Sequence, residues 1–177
     1  MKKTVLLFAI IFIVTSAFAF EKGTINPGGT ASVKLTKDNS DSGTLTTISI
    51  HPQLGYLVVD NLSLDAMVIF ESQSMSGDVI SSLGLGVGGR YFFNRIYGGL
   101  DFEFTSSTID IDFIDNNITA MYLQPKLGVL FPLGEKVFVD LNAAYKLGIG
   151  NYGGDSDDSN ESSELSFNLG LQYFLKR

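Results

Sequence analysis

The chain has 177 residues, with 19 Asp and Glu against 12 Lys and Arg, a formal net charge of -7, no cysteine and no tryptophan. An acidic balance argues against a nucleic-acid partner, which needs a basic face, and the lack of cysteine excludes disulfides, thiolate chemistry and acylation at a leader cysteine. The length suits one domain rather than two.

Residues 1–19 read as a signal peptide. Lys2 and Lys3 form its charged start, Val5 to Val14 its apolar core, and Ala17-Phe18-Ala19 a small-x-small cleavage site. The apolar run is shorter than the roughly 20 residues a membrane helix needs. The mature domain is therefore expected to occupy residues 20–177.

Beyond the leader, alternation of apolar and polar residues predicts strands at 29–36, 44–58, 62–73, 82–93, 96–106, 119–131, 137–150 and 164–175. Most exceed the globular norm of about 5 to 6 residues and suit the roughly 9 to 11 that cross a bilayer at a tilt. The last is the clearest: Leu165, Phe167, Leu169, Leu171, Tyr173 and Leu175 point one way, and Ser166, Asn168, Gly170 and Gln172 the other. Tight turns are expected at 59–61, 94–95 and 132–136, where Asn, Pro and Gly provide the turn chemistry. Longer connections are expected at 37–43, 74–81, 110–118 and 151–163. Both termini and the tight turns then share one end, and the long loops the other, which is the asymmetry of an eight-stranded antiparallel up-and-down transmembrane β-barrel.

One face of these strands is nearly free of charge and carries aromatics near both ends, as lipid contact with interfacial girdles requires. The other collects Lys34, His51, Asp65, Glu71, Arg90, Asp101, Glu103, Lys126, Asp140 and Lys146, interspersed with glycine. Enclosed charges of both signs must neutralise one another. Arg90 is expected to meet Asp101, and Lys126 to meet Asp140, across short hairpins. An eight-stranded barrel is about filled by its side chains, so a polar plug is expected instead of an open pore.

A soluble periplasmic calycin-like barrel, with the apolar face inward around a ligand, is the competing reading of the same alternation. The long loops hold eleven acidic residues, Asp38, Asp41, Asp78, Asp110, Asp112, Asp115, Asp155, Asp157, Asp158, Glu161 and Glu164, against Lys37. They suit an unknown extracellular ligand, although 155–161 lacks EF-hand spacing and its glycine. His51, the single histidine, has no nucleophile elbow or metal-ligand partner in the sequence, so interior filling is its expected role. The run Gly84-Leu85-Gly86-Val87-Gly88-Gly89 sits within a strand with no helix after it, outside the context of a phosphate loop. No metal or cofactor is expected.

Asn168-Leu169-Gly170-Leu171-Gln172-Tyr173-Phe174-Leu175 resembles the signal by which the barrel-assembly machinery recognises its clients. Asn168, Gly170, Tyr173 and Leu175 fall at its key positions, Leu175 standing where that signal has an aromatic. With the stretch Pro52 to Leu64, which includes Gly55-Tyr56 and Asp60-Asn61-Leu62, the chain is similar to the outer membrane protein beta-barrel domain, or porin-like, family. That family includes opacity-type, OmpX-like and OmpA-barrel-like proteins. The resemblance implies assembly by that machinery among outer-membrane lipids, loops outside the cell and both termini in the periplasm. It implies no shared catalytic residue, and roles in adhesion, membrane integrity or small pores. A non-enzymatic structural or surface-interaction protein is expected, with a narrow channel for ions or small solutes as the alternative.

Overall fold

Alternation along the chain is realised as eight strands: β1 (Ile25–Lys37), β2 (Thr44–Val59), β3 (Leu62–Met75), β4 (Asp78–Phe93), β5 (Ile96–Ile111), β6 (Ile114–Pro132), β7 (Val137–Tyr152) and β8 (Ser163–Tyr173). Each pairs antiparallel with its chain neighbours and β8 returns to β1, closing a barrel. The computed structural model describes residues 20–37, 44–75, 78–111, 114–152 and 163–176. The expected leader, 1–19, lies outside them, as do Asp38, Asp41, Asp112, Asp155, Asp157, Asp158 and Glu161.

The proximal end, which carries the termini, has the tight turns. Asn61 and Asn94 adopt φ of 65° and 59°, the left-handed region that asparagine tolerates better than most residues and that two-residue hairpin turns demand. At the distal end two of the expected loops are largely strand. The β3–β4 ladder continues to Met75↔Asp78 and the β5–β6 ladder to Ile111↔Ile114, so Asp78, Asp110 and Asp115 belong to strands. Backbone pairing needs no apolar face, and the Ser- and Asp-rich ends pair beyond the apolar band that alternation marks. A 16-residue strand spans about 50 Å at roughly 3.3 Å per residue, against an apolar band of about 25 Å.

Large apolar side chains point outward and lie bare: Leu85 is 65 % exposed, Leu127 64 % and Phe167 74 %. Charged side chains point inward, and Asp65, Arg90, Asp101, Glu103 and Asp140 are buried. A soluble barrel requires the reverse arrangement, so that reading is set aside.

Candidate functional site: the barrel interior

The proximal floor is apolar. Phe20, Leu57, Phe92, Tyr97, Leu130, Phe138 and Phe174 form one buried cluster. The Phe20 ring stacks on Phe174 with centroids 4.2 Å apart and meets Phe92 at 4.9 Å. Phe20 is held there because its N–H donates to Asn61 Oδ1 at 3.0 Å and its carbonyl accepts from Asn61 N–H at 2.8 Å. This floor was not foreseen from the sequence. Its signal is present, since Leu57, Phe92, Tyr97, Leu130 and Phe138 continue the inward parity of Gln53, Arg90, Asp101, Lys126 and Asp140.

Above the floor lies a layer of charge. Arg90 is bidentate on Asp65, Nε to Oδ2 at 2.7 Å and Nη2 to Oδ1 at 2.9 Å, and also donates to Asn26 Oδ1 at 2.6 Å. Its guanidinium lies over Phe92 and Tyr97, 5.3 and 5.4 Å from their centroids. Ser63 donates its hydroxyl to Asp65. Lys126 pairs with Asp101 at 2.6 Å. Asp140 accepts from the Tyr97 hydroxyl at 2.8 and 3.0 Å, from Gln172 Nε2 at 3.0 Å and from Asn142 Nδ2 at 3.4 Å.

The expected partners of Arg90 and Lys126 are thereby corrected. Gly88 stands opposite both Asp65 and Asp101, so Arg90 has a carboxylate diagonally on either side and takes the one on β3. Across the longer β6–β7 turn, Leu130 faces Asp140 and Lys126 faces Ala144, which puts Asp140 four residues away from Lys126 along β7.

The distal half is looser. Lys146 lies between Glu103 at 3.3 Å and Glu71 at 3.8 Å, over the Tyr122 ring at 4.2 Å. Gln73 donates to Glu71 at 2.9 Å. Lys34 pairs at 3.0 Å with Glu164, at the start of β8. These groups surround a polar cavity of about 290 Å³. His51 lines a separate void of about 20 Å³ together with Asp101, Lys126 and Asn168. Among the described residues no group of three or more His, Asp or Glu is placed to hold a metal. In the last strand Asn168 donates to Asn142 at 2.8 Å, Gly170 meets β1, and Tyr173 and Leu175 lie on the outside.

The arrangement gives Arg90, Lys126 and Lys146 each a carboxylate partner and Asp140 a set of neutral donors. Removing the Tyr97 hydroxyl tests how much one such contact contributes. Tyr97→Phe leaves the ring in the floor and is expected to cost about 1.5–3 kcal/mol, the range for a hydrogen bond to a charged group, read from the urea midpoint in lipid vesicles.

Comparison with known proteins agrees with this geometry. The profile of the outer membrane protein beta-barrel domain matches residues 4–177. The chain belongs to that family. Among solved structures it is similar to the outer membrane protein OprG from Pseudomonas aeruginosa, with 17 % identity, 89 % of this chain and 98 % of that chain covered, and a TM-score of 0.59. It is also similar to Neisserial surface protein A, with 16 % identity, 88 % and 98 % coverage, and a TM-score of 0.56. At these identities the likeness is one of fold. No curated protein matches the chain. Membership in the outer membrane protein beta-barrel family fits the outward apolar face and places the protein in the outer membrane.

Proposed function

We propose that this barrel is a non-enzymatic protein with a structural or surface-interaction role, its distal loops outside the cell and both termini in the periplasm. The filled lumen carries this reading. A solute crossing the barrel would have to displace Arg90, 1 % exposed and held by Asp65 and Asn26, and then the aromatic floor. The void beside His51, about 20 Å³, is little more than the roughly 10–15 Å³ that admits one water, so it has no room for a substrate. The partners of this reading are outer-membrane lipids around the apolar band, an external ligand at the acidic loops, and the barrel-assembly machinery reading Asn168, Gly170, Tyr173 and Leu175.

The distal polar cavity favours a second reading, a narrow channel whose floor opens. Planar-bilayer recording separates the two. The structural reading expects no discrete current steps from the purified protein, whereas steady single-channel steps that vanish with the protein would establish the channel.

A further inference from the structure

Three features meet where the barrel closes. The first is the ladder itself. β1 and β8 are 13 and 11 residues long, yet they pair only at Gly28↔Gln172, Gly29↔Leu171, Thr30↔Gly170 and Ala31↔Leu169, with a separate bridge at Ile25↔Leu175. The next rungs would set Ser32 against Asn168 and Val33 against Phe167; among the described residues no such pairs form. The seam is tight where it pairs: a Cβ on Gly28 would come within 2.6 Å of the Leu171 carbonyl oxygen, and one on Gly170 would strike that of Gly29. Beyond Ala31 the strands splay. Val33 and Phe167, at 68 % and 74 %, are the two most exposed large apolar side chains described.

The second feature lies inside. The distal cavity of about 290 Å³ reaches this gap through Lys34 and Glu164, whose ion pair spans it. The third lies outside. An apolar trough of about 850 Å³ runs along the membrane face of the same seam, with Gly29 and Ala31 at its base, Leu169 and Leu171 on one side, and Ile50 and Pro52 on the other.

We propose that the splayed seam binds a zwitterionic single-chain lipid of the lysophospholipid kind, its chain in the trough and its head in the gap at Lys34 and Glu164. Unpaired strand edges in a bilayer leave N–H and C=O groups without partners, and a polar head in the gap supplies them. The head is zwitterionic because the cavity presents both signs. A phosphate on Lys34 and an ammonium on Glu164 replace their mutual pairing, whereas a singly charged head leaves one of them unmatched. The chain is single because the floor between the Ile50–Pro52 and Leu169–Leu171 ridges is one strand wide, roughly 10 Å at about 4.8 Å per strand spacing, with Val137 and Val139 of β7 flanking the second ridge. The inference rests on residence in the membrane and is independent of the proposed surface role.

The test uses the mature protein in maltoside micelles and lysophosphatidylcholine spin-labelled in its chain. With no native cysteine, a fluorophore can be placed at Ile48→Cys, beside Val33 on β2, or at Leu100→Cys on β5 as a control. Quenching at position 48 is expected to half-saturate at a concentration at least about tenfold lower than at position 100. Ala31→Leu, which fills the trough, and the pair Lys34→Gln with Glu164→Gln should each raise the first midpoint about tenfold without moving the control. Tetradecylphosphocholine should compete and tetradecanoate should not. Equal midpoints at the two positions, or variants that leave the first unchanged, overturn the site. Equal competition by tetradecanoate overturns the assignment of its head group.

Discussion

Arg90→Ala is expected to destabilise the barrel by about 3–5 kcal/mol, the cost of leaving one member of a buried ion pair without its partner. Both side chains are essentially inaccessible, 1 % and 0 % exposed. The loss falls on more than Asp65, because Asn26 Oδ1 forfeits its donor and Phe92 and Tyr97 lose the guanidinium packed over them. Replacing both members, Arg90→Met with Asp65→Leu, should recover most of the loss, since two well-packed apolar groups leave no enclosed charge. Urea unfolding in lipid vesicles checks both. A double variant as unstable as Arg90→Ala would show that shape, and not charge, dominates the layer.

Leu85→Arg is expected to cost about 2–4 kcal/mol, the depth-dependent penalty for a cation on the lipid face near the bilayer centre. Leu85 lies mid-strand between Val68 and Phe104 and faces outward. Leu133→Arg, in the proximal turn, should cost only about 0–1 kcal/mol, as expected near an interface. Both positions are similarly bare, 65 % and 66 % exposed, so accessibility alone predicts equal and small effects. The same unfolding assay decides, and equal midpoints would contradict the assigned depth.

The eight strands and their two faces were legible because one residue type repeats every second position over long stretches. Leu165 to Leu175 shows it without the fold in view. The distal strand ends were not, because Ser74 to Met75 and Ser107 to Ile111 pair through backbone groups beyond the long apolar alternation, in stretches whose Ser, Thr and Asp also suit loops. The inward residues were recognisable as a set by parity, but their partners depended on register. Gly88 gives Arg90 two equivalent diagonals, and the length of the 133–136 turn decides whether Lys126 sees Asp140. The floor escaped notice because phenylalanine near a strand end suits both a lipid girdle and a lumen plug. Only parity separates Phe92 and Phe138 from their outward neighbours Tyr91, Phe93 and Val139.

The two most buried cation–carboxylate pairs each join strands of a single distal hairpin, Asp65 with Arg90 across β3–β4 and Asp101 with Lys126 across β5–β6, each 25 residues apart in sequence. Each hairpin thus carries the cation for its own buried aspartate, while Glu71 and Glu103 are met by Lys146 of β7. During assembly it enters the bilayer carrying a matched pair, while contacts that bring distant strands together, Asn26 with Arg90 or Asp140 with Tyr97, form as the wall curls shut. Pairing of Arg90 and Lys126 is therefore a local step in folding, and the long-range bonds serve to lock the finished cylinder.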